Sequence, residues 1–133
     1  MPDDASRSWK VGVLFSRSGV AGLTETEHFF GTALAVEEIN AGGGVRGRPI
    51  EPVCLDPEGD LQTYRAHARR LLADEGVGVI FGCSLSASRK AVLPLVERHD
   101  GLLWYSLDLR GVRIFGERPL HRRNAEPVRL SLG

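Results

Sequence analysis

The chain has no net charge, because 17 Lys and Arg residues balance 17 Asp and Glu residues among its 133 positions. A chain without a basic field has no electrostatic reason to bind nucleic acid directly or to collect on an anionic membrane. It also lacks an N-terminal signal sequence, since the segment at 1–9 is polar and contains no apolar run. We therefore expect a cytoplasmic protein that does not insert into a membrane.

Cysteine is scarce, and its spacing excludes two further classes of protein. Cys54 and Cys83 form no CxxC motif, and neither has a histidine at a spacing typical of metal ligands. A disulfide framework and a zinc site are therefore not supported, and we predict no metal and no cofactor. Both cysteines fall in or beside predicted strands, so we expect two buried free thiols.

The chain does contain a regular alternation of strands and helices. Hydrophobic residues make up 42% of the sequence, as in a soluble globular protein, and the length corresponds to one domain. Apolar runs predict strands at 9–15, 49–55, 77–81 and 102–105, and apolar residues at helical spacing predict three intervening helices. This βαβαβαβ order indicates an α/β fold with a partial, doubly wound parallel sheet. Its binding pocket is expected at the carboxyl ends of the strands.

The first predicted helix has clear start and stop signals. Thr24 or Thr26 can cap its N-terminus, and Glu27 is favourable in the first turn. Glycines at 42–44 follow its last turn and suit a left-handed helix stop, because they lack a Cβ atom. The predicted buried stripe of this helix consists of Phe29, Ala33 and Val36.

The second and third predicted helices cover the sheet through apolar stripes. Asp60 is a natural N-cap for the second helix. We expect Arg65, Arg69 and Arg70 to form the solvated side of that helix instead of a binding patch. The residues predicted to be buried are Tyr64, Ala68, Leu71 and Leu72 in the second helix and Val92, Leu95 and Val96 in the third.

The segment at 106–133 differs from the rest of the chain. It has neither helical nor strand periodicity, and it contains six Arg and no Lys against three acidic residues. A shift of the reading frame by one base after Tyr105 can give an open string that resumes the aromatic, Gly and Pro punctuation of a folded lobe. We therefore interpret 106–133 as an out-of-frame tail and the chain as a truncated product. The alternative is an authentic, unrelated C-terminus.

Four segments together resemble one known superfamily. They read VGVLFS, ALAVEEINAGGGVRGRPIE, DPEGD and FGCSLSASRKAVLPLVERHDGLLWY. The chain is similar to the type I periplasmic-binding-protein superfamily, and most closely to its amide and urea branch. That branch contains a cytoplasmic amide sensor that regulates an aliphatic amidase operon. It also contains the substrate-binding subunits of ABC transporters for urea and short-chain amides.

The resemblance implies a non-enzymatic protein that binds a small neutral amide or urea-type ligand between two lobes. Residues 10–105 correspond to the first part of lobe 1, after a polar N-terminal segment at 1–9. The missing signal sequence favours the sensor; if the true N-terminus lies upstream, the alternative is a periplasmic transporter subunit. The sensor of the amidase system sequesters an RNA-binding antiterminator protein, so the resemblance makes such a partner possible here.

The resemblance also implies three ligand-binding residues. Ser86 matches a serine whose hydroxyl contacts the ligand amide, and a hydroxyl suits an amide because it can both donate and accept a hydrogen bond. Ser84 stands where the amide sensor has a tyrosine, so the preferred ligand can differ from that of the sensor. Tyr105 matches an aromatic residue near the pocket. From the residues alone, Ser84 is better explained as a helix cap, and Tyr105 equally well as a core aromatic.

Two other functions remain open from the sequence. The chain could be a stand-alone α/β interaction module that engages a partner without a ligand. It could also be a serine hydrolase, because the turn GCSLS at 82–86 lies between a strand and a helix as a nucleophile elbow does. That turn lacks the second glycine of the elbow, and no acid and histidine follow in a credible order, so we predict no catalytic residues.

Overall fold

The computed structural model describes residues 7–105, so the predicted tail at 106–133 lies outside the described residues. The predicted βαβαβαβ order is confirmed. The strands are β1 (Trp9–Leu14), β2 (Ile50–Leu55), β3 (Val79–Gly82) and β4 (Leu102–Trp104), and the helices are α1 (Gly22–Ala41), α2 (Leu61–Arg69) and α3 (Ser86–Arg98). A π-helical turn at Arg70–Asp74 extends α2.

The four strands form one parallel sheet in the order β2-β1-β3-β4. The chain therefore moves from β1 to one edge of the sheet and afterwards toward the opposite edge. Because crossovers between parallel strands are right-handed, this reversal places α1 on one face of the sheet and α2 and α3 on the other. The predicted doubly wound α/β arrangement is thus present in the described residues.

The hydrophobic core lies between the sheet and the helices α2 and α3. Leu14 and Ile80 from the sheet, and Leu71 and Val92 from the helical layer, are all 0% exposed. The predicted buried stripe of the second helix is confirmed, and in the third helix Val92 and Val96 are buried while Leu95 packs partly buried against the cluster. The remaining core residues from the predicted stripes are Tyr64, Ala68, Leu72 and Val96.

Two local signals in the sequence form as expected. Asp60 is the N-cap of α2, where its carboxylate accepts hydrogen bonds from the backbone N–H and the hydroxyl of Thr63 at 2.8 and 2.7 Å. These bonds lower the pKa of the Asp60 carboxyl group. After α1, Gly43 and Gly44 adopt positive φ angles of 104° and 76°, which confirms the glycine stop.

Helix α1 differs most from the prediction. It begins at Gly22, with Ala21 at the N-cap and no capping side chain, so the prediction of a Thr24 or Thr26 cap was wrong. The hydroxyl of Thr26 instead donates to the Gly22 carbonyl within the helix. The predicted buried stripe is also wrong, because Ala33 is exposed and Phe29 and Val36 are only partly buried.

The exposure of α1 has a simple geometric reason. Among the described residues, α1 is the single helix on its face of the sheet, and it packs mainly against the edge strand β2. The prediction that both cysteines are buried is wrong for Cys54, for the same reason. Cys54 lies on that edge strand and is exposed, whereas Cys83, beyond the interior strand β3, is buried.

We predict that Gly82 at the end of β3 cannot be replaced by alanine without loss of stability. An added Cβ atom would overlap the carbonyl oxygen of Leu14 on the neighbouring strand. We expect Gly82→Ala to lower the free energy of unfolding by about 2 kcal/mol or more, as overpacking does elsewhere. The measurement is urea denaturation of the full chain. The matched control is Gly78→Ala, which has nothing within 4 Å of the new Cβ and should change stability little; equal effects of the two substitutions would contradict the prediction.

Candidate functional site

The candidate site lies at the carboxyl ends of β1 and β3. The strand order reverses at β1, and ligands of open α/β sheets bind in the crevice outside such a switch point. Ser16 lies two residues after the end of β1, and Cys83 and Ser84 follow β3. The two strand ends are joined where the Cys83 N–H donates a 3.1 Å hydrogen bond to the Leu14 carbonyl. The turn after β3 is therefore fixed to the centre of the sheet.

A buried carboxylate connects the elements that surround these strand ends. Glu25, in the first turn of α1, is 0% exposed. The Tyr64 hydroxyl of α2 donates to Glu25, lying 2.8 Å from Oε1 and 2.7 Å from Oε2. The backbone N–H of Ser84 donates to the Glu25 Oε1 atom over 3.1 Å. One carboxylate thus connects α1, α2 and the β3–α3 turn.

A serine extends this network to the loop before α2. The Ser16 Oγ atom lies 2.7 Å from the Tyr64 hydroxyl oxygen and accepts a 2.9 Å bond from the Gly59 N–H. Because Tyr64 has one proton and donates it toward Glu25, the Ser16 hydroxyl donates to Tyr64. Burial, followed by the hydrogen bond to Glu25, raises the pKa of the Tyr64 hydroxyl. The hydroxyl protons of Ser16 and Tyr64 in this network therefore both have an acceptor.

The sequence interpretation missed Glu25, although a signal was present. Glu25 precedes Phe29 by four residues and Val36 by eleven, so it shares a helix face with two members of the predicted apolar stripe. A glutamate on the inner face of a helix needs hydrogen-bond partners, since an unpaired buried charge is costly. That position could have marked Glu25 as a residue in contact with the site.

The structure places the three predicted ligand-binding residues at the carboxyl ends of the strands. Ser84 and Tyr105 are in direct contact, since the Tyr105 hydroxyl donates a 3.2 Å bond to the Ser84 carbonyl. The Arg89 guanidinium group lies 5.0 Å above the centre of the Tyr105 ring. Ser86 is the first residue of α3 and is exposed.

Ser84 does not cap the following helix, so the cap interpretation was wrong. Leu85 occupies the N-cap position of α3 without a side-chain hydrogen bond. The reason is that β3 ends at Gly82 and Cys83 then turns the chain with a φ angle of 64°, which delays the start of the helix. Ser84 is 2% exposed, and within residues 7–105 its Oγ atom has no hydrogen-bond partner. A buried hydroxyl of this kind is a candidate for contact with a ligand.

The turn at Cys83 resembles a nucleophile elbow only in its backbone. A positive φ angle in a non-glycine residue between strand and helix is uncommon. Burial raises the pKa of the Cys83 thiol to about 12, so the thiolate is not formed near neutral pH. Within residues 7–105, no histidine forms a hydrogen bond with the Ser84 hydroxyl. The geometry therefore gives the hydrolase hypothesis no activated nucleophile.

Between residues 7 and 105, no three His, Cys, Asp or Glu side chains are grouped so as to hold a metal ion. The helices of the same segment are all too short or too polar to span a bilayer.

A parallel α/β sheet with a polar crevice at its switch point is typical of ligand-binding lobes. The chain belongs to the periplasmic binding protein family, since the family model described as "Periplasmic binding protein domain" matches residues 9–114. The fold is that of part of a type I periplasmic binding protein.

Relatives of known name support this assignment. The chain is 40% identical over 103 residues to the Leu/Ile/Val-binding protein homolog 7 of Brucella melitensis. The aligned segment covers 77% of this chain and 25% of that protein. The chain thus spans about a quarter of the length of the curated relatives it matches. Membership of the family is shown by these comparisons, whereas membership of the amide and urea branch stays a prediction.

Solved structures show the same fold with different ligands. The branched-chain amino acid transporter substrate-binding protein LivJ of Streptococcus pneumoniae, in complex with isoleucine, is 27% identical with a TM-score of 0.75 and covers 79% of this chain and 30% of that one. A solute-binding protein of an ABC transporter from R. palustris, in complex with 4-hydroxybenzoate, is 26% identical with a TM-score of 0.61, covering 73% and 26% of the two chains. The shared fold therefore does not determine the ligand.

We predict that Tyr64→Phe destabilises the chain. The substitution removes a hydroxyl donor from the buried Glu25 carboxylate and an acceptor from Ser16. The expected loss is about 1–3 kcal/mol in the free energy of unfolding, measured by urea denaturation. Tyr105→Phe is the matched control, because it loses one longer bond at a partly buried position. A Tyr64→Phe variant as stable as the unchanged protein would show that the network does not stabilise the fold.

We also predict a difference in reactivity between the two thiols. Ellman's reagent should titrate Cys54 in the native chain at mildly alkaline pH and reach Cys83 only after denaturation, because Cys83 is buried. Since folding raises the pKa of Cys83 from 9.0 to about 12, the unfolded thiol ionises first. The stability contribution of Cys83 is therefore complete below pH 9 and is lost as the pH rises toward 12. Rapid reaction of both thiols in the native chain would contradict this arrangement.

Proposed function

We propose that the crevice at the carboxyl ends of β1 and β3 binds a small, uncharged amide or urea-type ligand. The chain acts there as part of the first lobe of a binding protein and catalyses no reaction. The observation that carries this proposal is the Ser84 hydroxyl, which is buried at the crevice and has no hydrogen-bond partner among the described residues. A buried hydroxyl without a partner costs free energy, and a polar ligand atom would supply the missing bond.

The chemistry of the crevice suits a neutral ligand. A hydroxyl group can donate to the carbonyl oxygen of an amide and accept from its N–H group, and Ser84 and Ser86 supply two hydroxyls. The N-terminus of α3 has no capping side chain, so its first N–H groups are further donors for a ligand oxygen. The Glu25 carboxylate is fully buried and accepts hydrogen bonds from Tyr64 and Ser84, so its oxygens do not contact a ligand directly.

A branched-chain amino acid is the competing ligand class. The names of the Brucella homologues and the isoleucine complex of LivJ favour it by analogy. An amino acid carries a carboxylate, and Arg89, whose guanidinium group lies 5.0 Å from the centre of the Tyr105 ring, is a cation close to this turn. We favour the amide because the Ser84 hydroxyl, the buried group without a described partner within the turn itself, is neutral. The relatives bind different ligands on the same fold, so the choice depends on the side chains.

The relatives bear on the biological role as well. The Brucella relatives are named as binding proteins and LivJ as a transporter substrate-binding protein, which favours the transporter subunit over the amide sensor. A transporter subunit of this family would work in the periplasm, and the sensor in the cytoplasm. The RNA-binding antiterminator partner belongs to the sensor role alone. A stand-alone interaction module is the alternative to both roles, and it predicts no ligand binding.

The test is a nuclear magnetic resonance titration of the ¹⁵N-labelled full chain with acetamide, urea and leucine. We expect acetamide and urea to shift the amide signals at 83–86, with a dissociation constant on the order of millimolar, equivalent to about −4 kcal/mol. Weak binding is expected because one part of one lobe offers few contacts. Ser84→Ala and Ser86→Ala should each reduce the shifts, whereas the control Ser8→Ala, before β1 at the opposite end of the sheet, should not.

The outcomes separate the hypotheses. Shifts at 83–86 with leucine and none with acetamide or urea would disprove the amide class and keep the binding site. The absence of shifts with all three ligands would favour the interaction module.

A further inference from the structure

A groove of about 440 Å³ runs between α2 and α3 on the outer surface of the helical layer. Its floor is formed by small or partly buried apolar residues, Ala66 on α2 and Ala91 and Leu95 on α3. The groove lies on the helices and not at the crevice of the strand ends, so it is separate from the proposed ligand site. Nothing in the proposed function uses it.

The walls of this groove are positively charged on both sides. Arg65 and Arg69 line it from α2, and Lys90 and Arg98 line it from α3, while no acidic residue does so. Within residues 7–105, the ion pairs are Lys10 with Glu75 and Arg17 with Asp56. None of the three groove arginines therefore pairs with a described carboxylate. In a chain without net charge, these three arginines around one groove form a local positive field.

We propose that this groove, lined by Arg65, Arg69 and Arg98, binds an acidic peptide segment of a partner protein, in contrast to the sequence expectation that Arg65 and Arg69 are solvated and form no binding patch. The groove has room for a peptide backbone and small side chains, because two of its lining residues are alanines. The arginines at 65 and 69 are one helical turn apart, about 6 Å by the rise of 1.5 Å per residue. Alternate side chains of an extended peptide are spaced by nearly the same distance, about 6.7 Å.

The spacing therefore matches an extended peptide with an acidic residue at every second position. On the opposite wall, Arg98 of α3 supplies a third guanidinium group. Arginine is well suited to this role because its planar guanidinium group binds a carboxylate through two parallel hydrogen bonds.

A single-stranded nucleic acid is the other polyanion that a basic groove can hold. Such grooves combine cations with aromatic side chains on which bases stack. No aromatic residue lines the groove between α2 and α3. The observations therefore favour the acidic peptide.

The test is a fluorescence anisotropy titration of the full chain with a labelled acetyl-(Glu-Ala)₄-amide peptide at low salt. We expect saturable binding that weakens as salt is added, because the contacts are ionic and exposed. The matched probe, acetyl-(Gln-Ala)₄-amide, should not bind. Arg69→Gln should raise the dissociation constant about threefold, and Arg65→Gln/Arg98→Gln by about tenfold, as for two exposed ion pairs.

Arg70→Gln is the control variant, because Arg70 is adjacent to Arg69 and exposed but does not line the groove. It loses the same charge and should bind the peptide as the unchanged chain does. Equal weakening by Arg69→Gln and Arg70→Gln would overturn the proposal, since binding would then follow total charge. Absence of binding to the Glu-Ala peptide, or tighter binding of an oligothymidine of eight nucleotides that depends on Arg69, would also overturn it. All substituted residues are exposed, so circular dichroism should show an unchanged fold.

Discussion

The arrangement of the candidate site depends on the buried carboxylate of Glu25. This carboxylate is fully buried and has no cationic partner within residues 7–105, so it must receive several hydrogen bonds, because otherwise its desolvation would oppose folding. Its donors come from α2 and from the turn after β3, and Ser16 continues the network to the loop before α2. Segments that are distant in the sequence are thereby held at fixed positions around one crevice. Hydrophobic packing alone, which is not directional, would not give this precision.

The division of the fold into two faces explains why the site is built in this way. The helices α2 and α3 pack against the sheet through a continuous apolar cluster, and they supply the rigid support for the strand ends. Helix α1 stands on the other face and contributes its polar first turn to the crevice. The same family fold holds isoleucine in one relative and 4-hydroxybenzoate in another. This variation is expected when the sheet fixes the positions and the turns supply the chemistry.

Sequence reasoning succeeded where a local rule was sufficient. The Asp60 cap, the glycine stop after α1 and the buried stripe of α2 each depend on residues close in the chain, and each formed as predicted. It failed where the result depended on neighbours from elsewhere in the fold. The exposure of Ala33 and of Cys54 reflects how little of the described chain covers that face and edge of the sheet. Ser84 was taken for a cap because the sequence does not show that Cys83 adopts a positive φ angle before the helix.

The attachment of α1 has a thermodynamic consequence. Its two ends are held by polar groups, Glu25 at one end and Asn40 at the other, where the Asn40 side chain accepts from the Ile50 N–H and donates to the Ile50 carbonyl. Local opening of α1 would uncover Val11, Val13 and Phe15, which are at most 8% exposed and alternate along β1 with the core residue Leu14. The layer of α2 and α3 buries a larger apolar cluster, so its opening carries the larger heat-capacity change and the more strongly curved stability profile. A change of temperature therefore alters the stability of the helical layers on the two faces of the sheet to different extents.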